Sequence, residues 1–120
     1  MDPEGFVRAV EKVVRDAAVS DVVRAMTGPA GRKPSEQLLA LAAWRRSLGE
    51  EDRALLVKAL KLVADSAVFG FLCVLDGARA IESGANKGEL RLLYSNGAEG
   101  DRPLSGPTEP LLHEFFKKSI

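Results

Sequence analysis

A chain of 120 residues, 46% apolar and 28% charged, with 17 basic side chains balanced by 17 acidic ones, reads as one soluble globular domain spanning residues 1–120. A domain of that size folds without staples, and its single cysteine, Cys73, excludes an internal disulfide. No third of the chain is strongly basic, so neither nucleic acid nor an anionic membrane is an expected partner. No apolar run approaches the ~20 residues of a membrane-spanning helix.

The first segment reads as a helix, with Asp2 as cap and Pro3 and Glu4 in the first turn. Phe6, Val10, Val13, Val14 and Ala17 fall on one stripe at helical period. Charges at Arg8, Glu11, Lys12, Arg15 and Asp16 interrupt any secretory h-region. With a lone cysteine among apolar neighbours, this points to a reducing, cytoplasmic setting. The stripe then slips: Val22, Val23 and Met26 lie nearly opposite it on a straight helix. Ser20 and Asp21 are of the type that caps a new helix, so a break is expected there. Thr27-Gly28-Pro29-Ala30-Gly31 is a stop.

A second helix begins at Ser35, its cap, with Glu36 in the first turn. Leu38, Leu41, Trp44 and Leu48 share an apolar side, and Arg45 and Arg46 suit the negative end of the helix dipole. Gly49 then introduces Glu50-Glu51-Asp52, an acidic start signal. Leu55, Leu56, Ala59, Leu60, Leu62 and Val63 are the expected buried stripe of that helix.

The run Ala67–Leu75 is apolar or glycine at every position. A segment apolar on every side has to be covered on every side, which places it at the centre of the core. Strand and helix are both open for it. Helix is favoured, because Asp65-Ser66 suits a cap, Gly77 suits a helix stop and β-branched content is low. Gly70, mid-helix, is expected where the backbone of the first helix, near Val10 and Val13, approaches closely. Beyond Gly77, Ala78–Glu82, Glu89–Tyr94 and Asp101–Leu104 read as strand candidates, with Ser95-Asn96-Gly97 as a hairpin turn. Pro103 confines its strand to an edge. A short helix follows Pro110, carrying His113, Glu114 and Phe115. The expected fold class is therefore α+β: a mainly helical domain of four to five helices with a small antiparallel hairpin or meander in the C-terminal third. The expected core is Phe6, Val10, Val13, Leu41, Leu56, Leu60, Val63, Phe69, Leu72, Cys73, Leu75, Leu92 and Phe115.

Chemistry is sparse. Gly28 and Gly31 lack the spacing and the Lys-Ser ending of a phosphate loop. Cys73 and His113, the lone residues of their kinds, do not make up a structural zinc set. Cys73 in apolar surroundings is a poor thiolate. No catalytic residue, metal or cofactor is expected. Trp44 beside Arg45 and Arg46 is a candidate recognition patch, since Trp and Arg dominate interface hot spots. Its plain alternative is a core tryptophan at a charged helix end. Asp76, Glu82, Glu89 and His113 are a candidate carboxylate–histidine pocket for acid–base or ligand chemistry. Its plain alternative is a turn former, two solvated glutamates and a polar helix tip. The balance favours a small non-enzymatic module that binds another protein, with a small enzyme or ligand-binding protein built on the carboxylate–histidine pocket as the competing class.

Overall fold

The computed structural model describes residues 1–28 and 33–120. The first helix starts at its expected cap, where Asp2 accepts from the Gly5 amide at 2.7 Å and Pro3 occupies the first turn. It then runs unbroken to Thr27 as α1 (Pro3–Val10), a π-helical segment (Glu11–Asp16) and α2 (Ala17–Thr27). The break expected at Ser20–Asp21 does not occur. The slip in the apolar stripe is real, and the π segment absorbs it. Bonds of the i→i+5 kind hold one surplus residue per turn, so the second half of the helix is rotated without being detached. Val13 and Val14 are left exposed by this turn, whereas Arg15 becomes buried. Of the expected stop, Pro29, Ala30 and Gly31 lie outside the described residues.

Ser35 caps α3 (Glu36–Ser47), accepting from the Leu38 amide at 3.2 Å. At the other end of α3 the carbonyls of Arg45 and Arg46 accept from the Arg53 guanidinium at 3.2 and 3.1 Å, which satisfies groups that a helix end leaves without partners. Ala42 is the buried residue of α3, and Leu41, expected in the core, is exposed. Glu50-Glu51-Asp52 opens α4 (Glu50–Leu75), a single helix of 26 residues. Asp65 and Ser66 therefore cap nothing, and residues 67–75 are helix rather than strand. Gly77, at φ +75°, ends α4. Its amide donates to the Val74 carbonyl at 3.1 Å and the Ala78 amide to the Cys73 carbonyl at 2.9 Å, the paired bonds of a Schellman stop.

Ala78–Glu82 forms no strand, and neither do residues 89–92. The sheet is one antiparallel pair, β1 (Leu93–Asn96) with β2 (Gly100–Pro103), in the register Leu93 opposite Pro103 and Asn96 opposite Gly100. With two strands both edges are free, so Pro103 costs no interior ladder bond. The Leu104 amide donates to the Leu92 carbonyl at 2.8 Å just beyond the strands. The last helix, α5 (Leu112–Lys117), packs on α1 and α4. The architecture is α+β, mostly helical, with the small sheet in the C-terminal part.

The core lies at the α5 end of the molecule. Val7, Val68, Leu72, Leu112 and Phe116 form its buried cluster, and Phe6, Val10, Phe69, Leu75, Leu92 and Phe115 pack against it. Cys73 is buried, and Leu56 and Leu60 are half-buried. Val63, expected inside, is 67% exposed, as are Leu55 and Leu62 to similar degrees. The reason is geometric. The C-terminal half of α4 is flanked by α1, the π segment and α5, whereas the N-terminal half rests on α2 along one side. The all-apolar run is likewise not covered all round, for Phe71 is 63% exposed. Gly70 is covered, but by the Arg79 guanidinium rather than by the first helix, since a Cβ built on Gly70 would meet Arg79 Nη1.

Candidate functional site

Two features stand out: a polar cluster where α5 meets the end of α4, and an apolar groove between the first helix and residues 60–75 of α4.

In the polar cluster, Asp76 follows the last residue of α4, and its side chain is 1% exposed. Its two oxygens accept from the Leu112 and His113 amides, both at 2.9 Å. It thus caps the start of α5 from a position 36 residues earlier in the chain, doing what a local cap residue ordinarily does. The same carboxylate lies 2.7 Å from His113 Nδ1. A carboxylate oxygen only accepts, so the ring donates through Nδ1. Phe69 meets the ring edge-on at 5.6 Å between centroids. On the other ring nitrogen, Nε2 lies 3.3 Å from Glu114 Oε1. Adjacent residues diverge by about 100° on a helix, yet the long Glu114 side chain still folds back to reach the ring.

This Asp–His arrangement resembles the orienting half of a hydrolytic triad. Among the described residues no serine, threonine or cysteine side chain is bonded to His113. Cys73, one turn before Asp76, is buried. Loss of water around it pushes the thiol up, nearby Arg79 opposes that, and Asp76 and Glu114 add to it. A raised thiol is a weak nucleophile at neutral pH. The chemistry Asp76 performs is mechanical: it fastens α5, and with it Leu112 and Phe116, to the end of α4.

Of the four carboxylate–histidine candidates, the structure brings Asp76 and His113 together. Glu82 accepts from the Gly88 amide at 3.1 Å and Glu89 from Arg91 at 3.4 Å. Both glutamates line a cavity with Arg79, Ile81 and Lys87, in which neither Asp76 nor His113 takes part. Glu89 also borders a second hollow, beside Asp76. Of the candidate recognition patch, Trp44 is 48% exposed, Arg46 is exposed and Arg45 half-buried. The described residues hold no cluster of three metal-ligating side chains, and no helix among them is long and apolar enough to cross a membrane.

Sequence reasoning missed Arg15. Its guanidinium donates to Asp65 at 2.7 Å and to Asp16 at 2.6 Å, and lies 5.7 Å from the centre of the Phe116 ring. The bond to Asp65 is the main force raising its pKa further. The partners are 50 residues apart, so no local spacing reveals them. The one trace in the sequence is that Arg15 falls where the apolar stripe slips.

The groove lies between the first helix and α4. Phe6, Val10 and Val14 face Ala67, Phe71 and Leu75 at one end. Ala18 and Val22 continue the first wall, opposite Leu60, Val63 and Ala64. Ala67 belongs to both stretches, so the groove is continuous, and among the described residues no charged side chain lines it. The first wall advances in steps of four. On an unbroken α-helix such steps drift by about 40° each; the wider π turns take up part of the drift and keep the wall on one side. Compared with protein-family models, with curated proteins and with solved structures, the chain matches none.

Proposed function

We propose that the chain is a small non-enzymatic interaction module that docks on another polypeptide through the groove between the first helix and α4. One observation carries this reading: a groove about 20 Å long, from its steps of 1.5 Å per residue along α4, presents only apolar side chains. Contiguous apolar surface of that kind marks interaction sites in soluble proteins. Charge balance argues against nucleic acid as the partner, and the lone buried cysteine suits the cytoplasm. The competing reading, a small enzyme or ligand binder, draws on the Asp76–His113 contact but lacks a cavity that joins it to both Glu82 and Glu89.

The test is recovery of bound protein by the tagged chain from its native host. Ala67→Glu, which puts a charge in the groove floor, should abolish recovery of the partner, whether another copy or a different protein. Leu62→Glu, on the far side of α4, should not. Equal recovery by both variants would sink the reading.

A further inference from the structure

Resting on that reading, we propose that the groove's occupant is a second copy of this chain, and that two helix pairs stack face to face into a four-helix bundle about a twofold axis at Ala67.

The surface area asks for such a partner. A monomer of 12.9 kDa is expected to expose about 6,300 Å². This chain exposes 8425 Å², an excess of about 2,100 Å² over that expectation. Obligate homodimers bury 2,000–5,000 Å² in total, so two such excesses fall in that range. Its radius of gyration tells the same story: 18.4 Å against about 14 Å for a compact domain of this length.

The pattern on α4 says which partner. Leu60, Ala64, Ala67, Phe71 and Leu75 line the groove in steps of four and three, the spacing that packs helix on helix. An isologous contact must match itself under a half-turn. With the axis at Ala67, residues equally distant along α4 meet across it. Phe71 of one copy then faces Val63 of the other, four residues to either side, and these are more exposed than the groove's other large side chains. The small Ala67 sits at the closest approach, with Ala64 and Ala18 beside it. The pairing sets Phe71 beside Val63 on both flanks and lets the two small centres meet at the axis.

The purified chain at micromolar concentration should sediment at twice its 12.9 kDa mass. Ala67→Glu should sediment as a monomer with the circular dichroism of the parent. Ala67→Cys, a mild change that needs no charge, should form a covalent dimer on gentle oxidation, because the two positions face each other. Leu62→Cys should not. A monomeric parent overturns the second copy, and so does a dimer indifferent to Ala67→Glu or one that Ala67→Cys fails to link. An apolar fluorescent dye separates the two readings. If a monomeric parent binds the dye and Ala67→Glu abolishes that binding, the groove is open to a different partner and the module survives. A monomeric parent that binds no dye overturns both.

Discussion

The two ends of α4 are built from similar residues and end in opposite states. Around Leu72, three helices converge, and Phe116, Leu112 and Val7 are fully buried. Around Val63, one helix lies alongside, and leucines and valines of the same hydrophobicity stand in water. Apolar composition decides that a surface seeks cover; the number of neighbouring elements decides whether it finds any within the chain. What closes the first end is α5, a helix too short to hold itself in water, pinned in place by Asp76.

The largest expected contrast comes from truncating one side chain at each end. Phe116→Ala should cost about 3–5 kcal/mol, the range for emptying a core aromatic site. Leu62→Ala, at a residue 71% exposed, should stay within about 0.5 kcal/mol. Urea unfolding measures both, and equal losses would erase the distinction between the ends.

Next comes the fastening itself. Asp76→Ala leaves the Leu112 and His113 amides without their acceptor, and should cost about 3 kcal/mol, as for buried bonds to a charged group. Asp76→Asn keeps the shape and one acceptor oxygen, so its loss should be about half that. If denaturant midpoints put Asn and Ala together, the two-oxygen grip on α5 is not what holds the closed end.

A smaller effect is expected at Gly70. A methyl group there meets the far end of Arg79, a flexible side chain on an exposed segment that is free to swing aside. Gly70→Ala should therefore keep most of its helix-propensity gain and stabilise the chain, by up to about 1 kcal/mol. The sequence alone suggests the opposite sign, through a helix–helix contact at Gly70. A destabilised variant would mean that Arg79 is needed where it lies.

The smallest effect is one of rate. Burial raises the Cys73 thiol, so the folded chain holds it protonated through neutral pH and should react slowly with a thiol reagent, then at once in denaturant. The linkage has a sign. The unfolded thiol ionises first as pH rises, so any contribution of Cys73 to stability is constant below its ordinary range and falls above it. Fast labelling of the folded chain near neutrality would place Cys73 at the surface.

Local signals in the sequence were sufficient for the local structure. Asp2, Ser35 and Gly77 cap or stop the helices they adjoin, because those bonds span three to five residues. The hairpin is also legible, from Ser95-Asn96-Gly97. The distribution of burial is not. Val13, Leu41 and Val63 have the right period for a core, but period says which face is apolar and not what lies against it. The site is half legible: Asp76 and His113 are both candidates by residue type, but their contact depends on how the loop after Gly77 returns, over more than thirty residues. Arg15 with Asp65 was invisible for the same reason. Leu112 and Phe116, the deepest residues of α5, do not show in the sequence because a six-residue helix offers too little pattern to tell which side is inward.

The π segment at Glu11–Asp16 makes the count of residues, and not only their kinds, part of the design. A surplus residue works there as a gear between two halves of one helix, setting Arg15 toward Asp65 and carrying the wall of the groove from Val14 on to Ala18 and Val22. Removing any one residue of that segment would alter little in composition or charge. The helix would settle to its ordinary pitch, and because the surplus residue is the one removed, everything after the deletion would keep its facing and move by about one residue's rise along the axis. Met26, now buried, would stay on its present side of the helix, and Val22 with it. The same deletion made in α2 has no surplus to absorb it, and would turn whatever follows it by about 100°.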